Sequence, residues 1–270
     1  MEEKMRKHGV PLFALESGDY IKDFDMIGFT LQYELCYTNV LNMLDLAGLP
    51  VLAKERETLS PIIAVGGPCT CNPEPIVDFV DIVFLGEGEE STNEVLDLLK
   101  ECKEKNCTKR EFLLKAKDID GIYVPSLYED SYNEDGTLKE LKAKDGAPLP
   151  IKKTVISDMN TVYYPDKFVV PFTQIVFDRA TEEIFRGCIR GCRFCQAGFI
   201  YRPIREKSVE TINRQSKALI DSTGYDELSL CSLSTSDHSQ VNEMLTSLID
   251  WTVKDKINLS LPSLRVDNFS

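Results

Sequence analysis

The 270-residue sequence has no stretch approaching the roughly 18 consecutive apolar residues that a membrane span needs. Its opening, Met1 to Val10, is charged and helix-like and lacks the apolar core of a secretory signal, so the expectation is a cytoplasmic protein without a membrane partner. Positive charge is in deficit: 31 Lys and Arg stand against 44 Asp and Glu, for a net charge of −13. That balance argues against a broad phosphate-binding face, and nucleic acid is not indicated as a partner. Histidine is scarce, with only His8 and His238. Internal repeats and low-complexity tracts are absent. The 43% hydrophobic and 28% charged composition is that of a soluble globular protein, long enough for one large domain or two ordinary ones.

What the sequence does have is nine cysteines. Without an export signal, a reducing compartment makes structural disulfides a poor explanation, and clustered cysteines then point to metal or redox chemistry.

The first part, residues 1 to about 117, alternates apolar runs with amphipathic stretches. Met26 to Leu31, Pro61 to Val65 and Asp81 to Leu85 read as buried strands, with Val10 to Leu15 as a candidate fourth. Tyr37, Val40, Leu41, Leu44 and Ala47 fall at helical spacing ahead of Gly48 and Pro50. Ser91-Thr92-Asn93-Glu94 has the spacing of a capping box opening a second helix. This rhythm predicts a parallel sheet with helices on both faces. Residues 118–181 read as an antiparallel ribbon turning at Asp135-Gly136, followed by a proline-rich extended linker. From 182 to 270 the α/β rhythm resumes. A strand near Glu183-Ile184-Phe185 leads into a cysteine loop, and a helix capped by Ser208 ends at Gly224. A strand over 227–233, a helix over 241–252 and a last strand over 258–266 follow.

The sharpest feature is Cys188-Ile189-Arg190-Gly191-Cys192-Arg193-Phe194-Cys195, a C-x3-C-x2-C run. Chance alone gives this spacing in about one chain in a hundred of this size and cysteine count. Short spacings let three thiolates reach adjacent corners of one iron–sulfur cube, and Gly191 is expected to ease the bend. A structural zinc normally takes four protein ligands, and no fourth Cys or His lies nearby. Three ligands on a four-iron cluster leave one iron open to substrate.

That run, with an aromatic just before its third cysteine, resembles the signature of the radical S-adenosylmethionine (SAM) superfamily. The wider stretches Glu183 to Phe199, Arg202 to Arg205, Ser229 to Asp237 and Leu261 to Asp267 are similar to a narrower group: cobalamin-binding-domain-containing radical SAM proteins of uncharacterised reaction. The resemblance implies an α/β fold, with a Rossmann-like, cobalamin-binding-type domain ahead of the first part of a TIM-like partial barrel. It implies that Cys188, Cys192 and Cys195 each hold one iron of a 4Fe–4S cluster, the fourth iron binding the amino and carboxylate groups of SAM. An electron from an external donor of flavodoxin or ferredoxin type would cleave SAM to methionine and a 5′-deoxyadenosyl radical. That radical would act on an unknown substrate by hydrogen abstraction or in methyl transfer. Phe194 would lie against the adenine. Ser232 and Ser234 fall where many relatives carry a Gly-Gly-Glu motif for the SAM amino group, which is absent here. Ser263 and Arg265 are the expected partners of ribose hydroxyls and carboxylate. Arg186, Arg190, Arg193, Arg202, Arg205 and Lys207 would form a cationic shell around the cluster. No catalytic side chain beyond the cluster ligands is assigned.

In the first domain, Thr30-Leu31-Gln32, Gly66-Gly67 and Gly86-Glu87-Gly88-Glu89 lie at strand ends, where open sheets bind ligands. The acidic residues of the last loop count against a dinucleotide pyrophosphate. The same positions look like the cobalamin-binding loops of the family; ordinary tight strand-to-helix turns are the competing reading. Cys69, Cys71, Cys102 and Cys107 are either free thiols or a zinc site, and Cys36 and Cys231 read as core or near-core positions. From Glu183 onward there are 88 residues, about three strand–helix units, against about six in the family's partial barrel and eight in a full one. The front domain is read as lacking its first strand. The chain is thus expected to be a radical SAM enzyme or a segment of one; the alternatives are a non-catalytic iron–sulfur electron carrier and an inactive truncated product.

Overall fold

The computed structural model describes residues 1–173, 175–265 and 267. The chain divides into two compact units, Met1–Val155 and Ile156–Ser270.

The first unit opens with helix α1 (Glu2–His8), which has acids in its first turn, bases in its last and Gly9 at its end. Strand β1 (Met26–Thr30), helix α2 (Tyr37–Leu46), strand β2 (Ile62–Gly66) and strand β3 (Ile82–Phe84) follow. Then come helices α3 (Ser91–Glu104) and α4 (Lys109–Ala116) and strand β4 (Ile122–Tyr123). The sheet order is β1-β2-β3-β4, with the first three parallel and β4 antiparallel to β3. Alternation along β2 separates two cores. Ile62 and Ala64 pack with Val95, Leu99 and Phe112 of α3 and α4, while Ile63 and Val65 pack with Val40 and Leu44 of α2. This is the covered, doubly apolar strand expected of a parallel sheet. A hairpin of β5 (Tyr128–Tyr132) and β6 (Leu138–Ala143) turns at Gly136, and Thr154 bridges to Gly86.

Two expectations fail in this unit. Val10 to Leu15 is not a sheet strand; only an isolated Phe13–Tyr20 bridge forms there, and the fourth strand is β4. The segment has too few partners in register to join the sheet. Ser91-Thr92-Asn93-Glu94 is not a capping box either. Ser91 is already helical and its hydroxyl donates to the Glu87 carbonyl at 3.4 Å. The box forms one helix later, where Thr108 Oγ1 accepts from Glu111 N and Glu111 Oε2 accepts from Thr108 N.

The second unit runs through β7 (Ala180–Glu183), β8 (Phe185–Arg186), the short helix α5 (Ala197–Ile200) and β9 (Arg205–Glu206). It continues through α6 (Val209–Thr223), β10 (Glu227–Cys231), α7 (Val241–Asp255) and β11 (Asn258–Ser260). The sheet is β11-β10-β7, all parallel, as in a strand–helix barrel segment. Ser208 caps α6 by accepting from Thr211 N at 3.2 Å, and Gly224 ends it in the left-handed region. Ile212 and Leu219 of α6 and Met244 and Leu248 of α7 bury against Ala180, Leu228 and Leu230. The final strand is shorter than its apolar pattern suggests, and Val266 lies outside the described residues.

Candidate iron–sulfur site

The predicted strand at Glu183-Ile184-Phe185 is two elements. β7 ends at Glu183, and the chain then turns into β8, which pairs antiparallel with β9 through Phe185–Glu206 and Arg186–Arg205. The cysteine segment is therefore the head of a stem-loop: β8 enters it and β9 leaves it. Two glycines fix its shape. Gly187, with φ of +92°, lies so close to the returning chain that a Cβ there would meet the carbonyl oxygens of Tyr201 and Pro203 at 2.9 Å. Gly198 in α5 lets the helix approach the Arg190 carbonyl, where a Cβ would stand at 2.8 Å. Gly191, expected to ease the bend, has open space around it and no left-handed backbone. The tight contacts lie at the ends of the loop, so only a folded structure identifies which glycine matters.

Cys188, Cys192 and Cys195 are free thiols of intermediate exposure. The Cys195 amide donates to the Cys192 carbonyl at 3.0 Å, turning the last two toward one bend. Among the described residues no three His, Cys, Asp or Glu side chains are gathered closely enough to hold one metal ion. Thiolates on different irons of a cube stand farther apart than thiolates around one ion, and a donor set of three thiols alone has the chemistry of an iron–sulfur ligand set. The residues present fit such a cluster. Phe194, between the second and third cysteines, is 93% exposed and offers an uncovered aromatic face.

The cations around the loop are more fully paired than a cationic shell implies. Arg186 makes a bidentate pair with Glu183 at 2.8 and 3.0 Å. Arg190 donates to both oxygens of Asp237, at 2.8 Å to Oδ2, and Asp237 also accepts from Ser234 Oγ at 2.7 Å. These hydrogen bonds hold the Arg190 guanidinium still more firmly charged than usual. Arg205 donates to the carbonyls of Pro203 and Ile156, Arg202 lies over the Phe199 ring, and Arg193 is exposed. Lys207 does not face the loop at all. It is fully buried with Glu182 at 2.9 Å, and burial pushes the Glu182 carboxyl up to about 7 although Lys207 pulls it down. Six cationic side chains in one stretch of sequence say nothing of which way each turns.

The predicted SAM contacts gather at the ends of β10 and β11. Ser232 Oγ lies 2.9 Å from Thr235 Oγ1, and Ser234 is buried. Thr235 Oγ1 donates to the Pro262 carbonyl at 2.7 Å, joining the two strand ends. Ser263 is left-handed at φ of +58°. Arg265 reaches Asp267 at 2.9 and 3.0 Å, and its Nη1 lies 3.9 Å from Cys192 Sγ. Asp267, held below the usual carboxylate range by that arginine, is a partner that sequence reasoning missed.

In the first unit the strand ends Thr30, Gly66 and Gly86 share one edge of the sheet. Leu31 is fully buried and Gln32 is exposed. A Cβ on Gly67 would meet the Leu31 carbonyl at 2.9 Å, and one on Gly86 would meet the Thr154 carbonyl at 2.2 Å. Gly88 packs near Thr92, and Glu87 and Glu89 carbonyls accept from Thr154 and Asn93. The chain's own backbone fills the room that Gly67 and Gly86 leave, so tight turns account for these two glycines. A cavity of about 630 Å³ in this unit, lined by Arg56, Asp81, Lys109, Tyr123 and Tyr128, lies at the opposite edge, before β3. Its buried charges already pair with one another: Asp81 takes Lys109 at 2.7 Å and Arg56 at 3.4 Å.

The other cysteines do not gather into one site, although Cys102 and Cys107 are neighbours. Cys69 and Cys102 are buried in the cores on opposite faces of the first sheet, which rules out a zinc site joining all four thiols. Cys36 is half-buried against the α2 core, whereas Cys231, expected near the core, is exposed at the end of β10. No helix among the described residues is long and apolar enough to cross a membrane.

Comparison with known proteins bears on all of this. Residues 1–125 match the family model described as "Radical SAM proteins, N-terminal". An uncharacterized protein of Methanocaldococcus jannaschii, MJ0966, is 29% identical over 269 residues; the match covers 99% of this chain and 50% of that protein, so the chain spans about half its length. The fold resembles a radical SAM methyltransferase, TsrM, of Kitasatospora setae, solved with cobalamin and a 4Fe–4S cluster bound. The TM-score is 0.54 at 12% identity, covering 89% of this chain and 45% of that one. It also resembles the cobalamin-dependent SAM radical enzyme OxsB, solved with aqua-cobalamin and SAM, with a TM-score of 0.51 at 19% identity over 88% of this chain and 30% of that one. At these identities the likeness is one of fold. This chain is thus similar over its first 125 residues to the N-terminal part of radical SAM proteins, and in fold to two cobalamin-dependent radical SAM enzymes.

Proposed function

We propose that this chain carries the cluster-binding and SAM-binding part of a radical SAM enzyme. The observation that carries the reading is the stem-loop that presents Cys188, Cys192 and Cys195 as partly exposed free thiols beside the ends of β10 and β11. Cys188, Cys192 and Cys195 would hold a 4Fe–4S cluster, which would supply the electron for reductive cleavage of SAM. The chain's own residues bind and orient. Arg190 ties the loop to Asp237, setting the cysteines against the strand end that holds Ser232 and Ser234. Arg265, near Cys192 Sγ, is placed to take a carboxylate bidentately, with Asp267 filling that role in the structure. The exposed Phe194 face suits a flat base. An external one-electron donor, a substrate bound by other parts of the enzyme and a cytoplasmic location complete the proposal. Cobalamin, bound by both fold neighbours, is a candidate further cofactor of the first unit, and no step above is routed through it.

The test is anaerobic reconstitution with iron and sulfide, followed by assay of 5′-deoxyadenosine with SAM and dithionite. The expected result is about four irons per chain and SAM-dependent product, both lost in Cys192→Ala. A cluster that forms without cleaving SAM would instead favour the electron-carrier reading.

A further inference from the structure

Glu182 and Lys207 form a buried pair in the second unit that neither the cluster nor the SAM reading uses. Their side chains are both 0% exposed and meet at 2.9 Å. Lys207 Nζ also donates to Gln215 Oε1 of α6 at 2.8 Å and stands 3.7 Å from the centre of the Tyr164 ring. Tyr164 in turn donates its hydroxyl to the Thr181 carbonyl at 2.7 Å. Glu182 Oε2 has no hydrogen-bond partner. A buried ion pair is rarely a net stabiliser against apolar residues of the same size, so stability alone does not account for it.

Its place in the chain does. Glu182 comes just before the stem-loop and Lys207 just after it. Around them the backbone closes the base: Lys207 N donates to the Ile184 carbonyl at 3.0 Å, Ile184 N donates to the Cys231 carbonyl at 3.0 Å, and His238 Nε2 lies 3.2 Å from the Lys207 carbonyl. The stem itself has two residues a side, too few to hold its own register. A slip of one residue would turn every stem side chain to the other face and carry Gly187 and Cys188 with it. A buried hydrogen-bonded pair whose polar groups find no other partner in an apolar core penalises any such slip.

We propose that the buried Glu182–Lys207 pair is a positioning device that fixes the register of the β8/β9 stem and thereby the seat of the three cysteines. Its bearing on the cluster rests on the function proposed above; its bearing on the stem does not. The test replaces Glu182→Met, Lys207→Met and Gln215→Leu together, which leaves none of the three polar groups stranded. In the apoprotein, amide hydrogen exchange over residues 185–207 is expected to quicken about tenfold or more while α6 and α7 keep wild-type protection. After reconstitution, iron loss to a chelator is expected to quicken by about the same factor. Glu182→Asp, which keeps the charge and shortens its reach, gives the same local pattern and guards against misfolding of the triple variant. Wild-type exchange over 185–207 in both variants overturns the proposal. Quickened exchange in a protein that takes up no iron even as wild type leaves the stem anchor standing and removes the cluster reading.

Discussion

At the scale of single residues, the Glu182 carboxyl has a measurable consequence. Burial raises it from the ordinary 4.5 to about 7, with Lys207 opposing. The native state therefore holds this proton to higher pH than the unfolded chain does. The carboxyl's contribution to stability is full below about 4.5 and is lost as pH rises through about 7. Urea unfolding of the second unit should show a fall on the order of 1–3 kcal/mol across that window. The triple apolar variant should be flat there; an equal slope in the variant would assign the effect to another group. None of this was legible in the sequence, where Lys207 is one more cation near a cysteine run. The cysteine spacing itself was fully legible, because it is a local pattern. Gly187 and Gly198 were not, because what makes them necessary is a carbonyl belonging to a distant residue.

At the scale of elements, helix caps separate pattern from geometry. Two stretches carry capping-box spacing, and only Thr108 with Glu111 makes the bonds. Thr108→Ala should cost about 1 kcal/mol in thermal or urea unfolding of the first unit. Ser91→Ala, whose hydroxyl makes only a long bond to the Glu87 carbonyl, should cost less than Thr108→Ala. The reverse order would mean that α3 begins earlier than the structure has it. Strands β1 to β3 were readable because each is an apolar run in a covered sheet. β4, β8 and β9 are two residues long and have no period to read. They exist through their partners, and the stem that carries the site is made of two of them.

At the scale of the whole molecule, the alternating rhythm announced two α/β sheets, and both are present, the first with its last strand antiparallel. The glycine loops illustrate where rhythm stops informing. Glycine at a strand end is equally required by an incoming ligand and by an incoming segment of the same chain, and here Thr154, far along the sequence, is what arrives at Gly86. Aquacobalamin titrated into this chain separates the two: a saturable absorption shift assigns the edge to a ligand as well, and an unchanged spectrum assigns it to the chain alone.

The fastened loop also changes who bears the entropy of assembly. Three cysteines on a slack segment would have to be gathered by the arriving iron, and each ordered residue would weaken the association. Here Gly187 is pressed against Tyr201 and Pro203, Gly198 against Arg190, and Arg190 is hydrogen-bonded to Asp237. These contacts belong to the fold itself, so much of the loop's ordering entropy is lost on folding rather than on binding.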